Sequence, residues 1–110
     1  MDNLVRVEEA LNELGLDRED FMEFLEDLEN FLEESVPQLG SAIDIKSFPE
    51  IRSHAHAIKG ALANLRFVAA ARVAHDLENQ GLNSVDEELD ENLAKLKDVL
   101  EKSFTEVKAK

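Results

Sequence analysis

The chain of 110 residues has no cysteine, no tryptophan and no tyrosine, two prolines and four glycines. Without cysteine there is no disulfide framework, no thiolate zinc site and no cysteine nucleophile. Positive charge is scarce. Twelve Lys and Arg face 25 Asp and Glu, for a net charge of −13. That balance excludes a general nucleic-acid binder, because phosphate backbones reward clustered cations. It equally disfavours docking on an anionic membrane. Long apolar runs are missing too: the longest plain stretch is Phe67 to Ala71, far short of a bilayer span. The opening residues lack a basic segment followed by an apolar one, so no secretory signal is expected. A soluble, cytoplasmic protein making up one domain over residues 1–110 is the expectation, with no nucleic acid and no membrane among its partners.

What remains is helix-forming. Leu, Glu, Ala, Asp and Lys dominate, and no alternating β-branched run appears. A short first helix is read from about Asn3 to Leu14, stopped by Gly15. Asp17 caps a second helix from about Arg18 to Leu39, with Phe21, Phe24, Leu25, Leu28, Phe31, Leu32 and Leu39 as its buried stripe and Pro37 near its end. Ser47 caps a third, with Pro49 close to its first position and Ile51, Ala55, Ile58, Leu62 and Leu65 facing inward. A fourth runs from about Phe67 to Gln80 and stops at Gly81. Its inner face is Phe67, Ala70, Ala71, Ala74 and Leu77. Ser84 and Glu87 form a capping box for the fifth, whose seam is Leu89, Leu93, Leu96, Leu100 and Val107, with Phe104 beside it. The expected fold is all-α: an antiparallel up-down-up-down four-helix bundle with a short additional N-terminal helix.

Catalytic signatures are as scarce as cysteine. There is no glycine-rich phosphate loop, no GxSxG and no HExxH, so the chain has no recognisable ATP site of its own. His75 and Glu78 have metal-like spacing, but no second such pair accompanies them, and no metal is expected. Attention falls on residues 52–65. At about 100° per residue, His56 lies about 140° from Ile51, outside the apolar stripe. Arg52, Lys59, Gly60 and Ala63 share its side. An imidazole is thus flanked by cations and by residues with almost no side chain. Glycine inside a helix costs about 1 kcal/mol relative to alanine, so Gly60 suggests a need for open space. On the fourth helix, Glu78 sits at the edge of the apolar stripe and needs a partner. In an antiparallel hairpin it lies level with His56 and can accept from Nδ1–H, leaving the Nε2 lone pair outward as a nucleophile. His75 borders the same pocket. The plainer readings are a surface histidine at 56, a Glu78 paired with Arg52 or Lys59, a boundary role for His54 and a structural one for His75.

With His56-Ala57-Ile58-Lys59-Gly60 and then Ala63-Asn64-Leu65, the chain resembles the histidine-containing phosphotransfer (HPt) domain family. His75 and Glu78 resemble polar positions in the phosphoacceptor domains of chemotaxis-type histidine kinases. The resemblance implies a phosphorelay intermediate that is not itself an enzyme. His56 would be the phosphoacceptor. Lys59 would neutralise phosphoryl charge, Gly60 would admit a partner and Glu78 would orient the ring. The implied partners are a response-regulator receiver domain and a histidine kinase, docking on a small apolar patch near Gly60 and Ala63 on the third and fourth helices. No cofactor of its own is implied, with Mg²⁺ supplied by the partner receiver. Leu62 and Arg66 depart from the family, which often has a small hydroxyl residue and glycine there. Leu62 is expected to change only packing, and Arg66 to alter the turn into the fourth helix. Two other roles stay open: a helical interaction module that no longer transfers phosphoryl, and an excised phosphoacceptor domain of a larger kinase. The initial Met and the basic Lys108–Lys110 end favour a stand-alone protein.

Overall fold

The computed structural model describes residues 3–109. Among them are five α-helices and no strand: α1 (Val7–Leu14), α2 (Arg18–Asp44), α3 (Phe48–Asn64), α4 (Val68–Leu82) and α5 (Leu89–Lys108). Met1 and Lys110, which enter the reading of the chain ends, lie outside the described residues. α3 packs on α2 and on α4, while α5 packs on α4 and more lightly on α2. The apolar stripes meet in one core. Leu39, Ile51, Ile58, Leu62, Leu77 and Leu96 are fully enclosed, each contributing roughly 1.5–3 kcal/mol of burial. Among the described residues, no helix is long and apolar enough to cross a membrane.

Several helix ends follow the local chemistry of the sequence. Gly15 adopts a left-handed φ of 67° and closes α1. The Asp17 carboxylate accepts from the backbone N–H of Asp20 at 2.8 Å, capping α2. Pro49 lies in the first turn of α3, where its missing N–H is harmless.

Other ends differ from the sequence reading. α1 begins at Val7 rather than Asn3, because the preceding backbone is engaged elsewhere. The N–H groups of Leu4 and Val5 donate to the Glu106 carboxylate at 3.2 and 2.9 Å. The N–H of Arg6 donates to the Arg66 carbonyl at 3.0 Å. α2 runs through Pro37 to Asp44, since Leu39, Ala42 and Ile43 continue its buried stripe. One lost hydrogen bond is outweighed by another turn of burial. Phe24 and Phe31, expected in the core, are 46% and 38% exposed. Phe21, Leu25, Leu28 and Leu32 already fill the inward face. The capping box at Ser84 and Glu87 does not form. Ser84 takes a left-handed φ of 54°, whereas a capping residue needs extended backbone. The helix starts at Leu89, after Gln80 has bound the loop by donating to the Glu87 carbonyl at 2.7 Å.

Candidate functional site

The site starts from a close approach of two backbones. Gly81 is buried inside α4 rather than ending it. A Cβ added at Gly81 would stand 2.6 Å from the Arg52 nitrogen and 2.9 Å from its Cα. Only glycine lets α4 lie this close to α3, which accounts for a residue that otherwise weakens a helix. From this contact, one turn back along α4 reaches Glu78, and one turn forward along α3 reaches His56. The two helices therefore run antiparallel here, and the expected level pairing is present.

Glu78 is the hub. Its Oε2 lies 2.7 Å from His56 Nδ1, and its Oε1 lies 2.6 Å from Lys59 Nζ. Glu78 is 14% exposed, against 66% for His56 and 28% for Lys59. Oε1 is wholly enclosed and receives no well-angled hydrogen bond. Its charge is met instead by the adjacent ammonium group, as an ion pair. Lys59 holds the Glu78 carboxyl below its ordinary pKa, desolvation opposes this, and the His56 bond adds to the lowering. Glu78 is thus ionised at neutral pH and can only accept. A neutral His56 ring then carries its proton on Nδ1 and keeps the Nε2 lone pair. The expectation that Glu78 pairs with Lys59 and the expectation that it meets His56 both hold, one on each oxygen.

The remaining candidates surround this hub. His75 Nδ1 is 3.8 Å from Glu78 Oε1, beyond hydrogen-bond range, and its Nε2 accepts from the Asn79 amide at 3.2 Å. His54 is half-buried and makes no hydrogen bond to the cluster. Gly60 is exposed, and a Cβ added there would meet nothing within 4 Å. Arg52, Ser53, Pro49, His56 and Glu78 line an open depression of about 320 Å³. Among the described residues, none gathers into a metal-binding group of three or more His, Asp or Glu side chains.

Arg66 keeps a glycine-like turn without being glycine. Its φ is 62°, in the left-handed region. Its guanidinium donates to the Ala63 and Asn64 carbonyls at 2.9 and 3.2 Å and pairs with Glu13 of α1. The side chain thus caps α3 and fastens α1, offsetting the backbone cost. Leu82 of α4 is 54% exposed, and two exposed rings, Phe24 and Phe31, stand on α2. With Ala61, Asn64 and Leu65 the two rings line a depression of about 210 Å³.

A comparison with protein-family models matches residues 18–109 to the Hpt domain. The chain belongs to the Hpt domain family. Hpt domains are helical bundles that carry phosphoryl groups on histidine in two-component phosphorelays, between kinases and receiver domains. They are phosphotransfer modules rather than enzymes with an ATP site. Neither the curated proteins nor the solved structures returned a match. The Hpt match begins at Arg18, the first residue of α2, so α1 stands outside it.

The sequence reading of this Hpt domain missed two things and held a third only as an alternative. The role of Gly81 was legible only as its three-residue spacing from Glu78, which puts both toward α3. The anchoring of Leu4 and Val5 on Glu106 left no local signal, because the partners are a hundred residues apart. The engagement of Lys59 by Glu78 was foreseen only as a competing reading, and it occurs alongside the His56 contact.

Proposed function

We propose that the chain is a histidine phosphotransfer protein in which His56 Nε2 accepts a phosphoryl group and passes it to or from a receiver-domain aspartate. The observation that carries this reading is the 2.7 Å contact of Glu78 Oε2 with Nδ1 of an exposed histidine. An ionised carboxylate there fixes the tautomer and stabilises the imidazolium-like charge as the N–P bond forms. Lys59 keeps Glu78 ionised and adds positive charge beside the ring. Gly60 leaves room for the receiver's active-site loops. Such transfer depends on positioning and charge more than on covalent machinery.

The helices are arranged, in this reading, as an antiparallel up-down-up-down four-helix bundle of α2 to α5, with α1 added at one end of a single domain spanning residues 1–110. Pairs that fall in opposite order support it: Glu29 with Lys108 and Gly40 against Leu93 join α2 to α5. The receiver docks on the α2–α3 face, where Phe24 and Phe31 line a depression with Ala61, Asn64 and Leu65. This contact is small and transient, at the low end of specific interfaces. Glu78, the carboxylate at the site, is committed to His56 and Lys59, so Mg²⁺ belongs to the receiver's carboxylates and not to this chain. The kinase supplies ATP chemistry, and the exchange takes place in the cytoplasm.

Radiolabel transfer from a panel of phosphorylated receivers and kinases tests the reading. Wild type is expected to gain acid-labile, base-stable label, and His56→Gln none. Equal label on His56→Gln would move the acceptor elsewhere. A folded wild type that takes label from no donor, and whose His56→Gln variant binds receivers equally well, would favour a binding module.

A further inference from the structure

Two cations flank His56, and they are not equivalent. Lys59 is engaged: its ammonium sits 2.6 Å from Glu78 and is largely covered. Arg52 is free. Although the chain has 25 acidic residues, Arg52 forms no ion pair among the described residues. It is one turn before His56 on α3, which puts the two Cβ atoms about 5–6 Å apart on one face. Both line the same open depression. The Arg52 backbone is also firmly placed, because Gly81 packs directly on it.

We propose that Arg52 is the phosphoryl-binding residue of this site, its guanidinium gripping the phosphoryl oxygens on His56 while Lys59 serves Glu78. This rests on the phosphoacceptor reading of His56. A guanidinium suits the task, since its fork of donors matches two oxygens of a phosphoryl group. An arginine without a carboxylate partner can move onto an incoming anion without first breaking a bond. Lys59 has no such freedom, because leaving Glu78 would strip an enclosed carboxylate oxygen of its counter-charge. In the transfer step the Nε2 lone pair attacks phosphorus and forms the N–P bond. The P–O bond to the receiver's aspartate breaks, and its electron pair leaves with the carboxylate. Nδ1–H stays with Glu78, and Arg52 takes up the non-bridging oxygens.

The test uses phosphoramidate as a small-molecule donor, so that no protein partner is needed. Its P–N bond breaks, ammonia leaves, and His56 is phosphorylated directly. Wild type, Arg52→Ala, Arg52→Lys and His56→Gln are compared by labelling rate, melting temperature and ³¹P NMR titration of the phosphohistidine. Arg52→Ala is expected to label about fivefold more slowly, the size of a partly exposed charge pair, and to raise the pH at which the phosphoryl oxygens titrate. Arg52→Lys should recover part of both effects, with melting temperatures unchanged. A purely structural arginine would not move the ³¹P titration. Wild-type rate and titration in Arg52→Ala, with no label on His56→Gln, would overturn the role of Arg52 and leave the function standing. Label persisting on His56→Gln, or none on wild type, would overturn the phosphoacceptor reading and this proposal with it.

Discussion

Gly60 and Gly81 border the same histidine and do opposite things. Gly81 is buried where α4 touches the backbone of Arg52, with no room for a methyl group. Gly60 faces open space one turn past His56. Each weakens its own helix by a similar amount, about 1 kcal/mol relative to alanine. At Gly81 that cost is recovered inside the molecule, by drawing α3 and α4 close enough for Glu78 to reach His56. At Gly60 nothing inside the molecule recovers it, which fits the proposed docking of a partner there. The site therefore has an inner side built to be rigid and an outer side built to be empty.

The sharpest way to break this comparison is at Gly81. Gly81→Ala drives a methyl group into backbone that cannot swing aside, costing about 2–3 kcal/mol. Thermal unfolding should shift down by roughly ten degrees. A melting point equal to wild type would mean that the two helices can slide apart freely, and the rigid inner side would be lost as an explanation.

Next in size is the hub itself. Glu78→Gln preserves shape but leaves one oxygen where two are needed. Its NH₂ group must face either His56 Nδ1–H or the Lys59 ammonium, both donors. If it faces Nδ1, the ring is driven to carry its proton on Nε2, and the nucleophile is lost. Phosphorylation should slow about ten- to hundredfold, as when histidines elsewhere lose an orienting carboxylate. Labelling by phosphoramidate at the wild-type rate would show that Glu78 only braces Lys59.

Gly60→Ala sharpens the other side. Stability should rise by about 1 kcal/mol, and phosphoramidate labelling should be unchanged. Transfer to a receiver should slow severalfold, because the methyl group fills space that only a macromolecular partner uses. Should both donors slow equally, Gly60 would be acting on the histidine rather than on the docking.

Legibility in the sequence divides along the same line. Features set by local periodicity were readable: the five helices, the caps at Gly15 and Asp17, and the outward placement of His56 beside Lys59 and Gly60. The level pairing of Glu78 with His56 was readable too, since an antiparallel hairpin allows few registers. What escaped was decided by distant partners. Pro37 looks like a stop until Ala42 and Ile43 are seen buried beyond it. Ser84 and Glu87 have capping spacing, yet Gln80 takes the loop into another geometry. Phe24 and Phe31 obey the helical period, but a helix of this length has more apolar residues than inward positions, and theirs fall at the rim. Gly81 resembles a terminator until the backbone opposite it is known.

The smallest expected effect lies in the acid stability of the inner side. The Glu78 carboxyl titrates below its ordinary value in the folded protein. A carboxyl with a depressed folded pKa stabilises the fold above its unfolded pKa. That contribution fades as pH falls through the folded value. Chemical denaturation of wild type should therefore lose stability more steeply than Glu78→Gln between about pH 5 and pH 3, the interval in which unfolded glutamate gains its proton. The difference is small against the titration of the other acidic residues, most of them exposed and common to both proteins, so it must be read as a difference of slopes and not from either curve alone. Identical slopes would mean that desolvation cancels the pull of Lys59 and His56. The Lys59–Glu78–His56 chain would then position the ring without contributing to the stability of the fold.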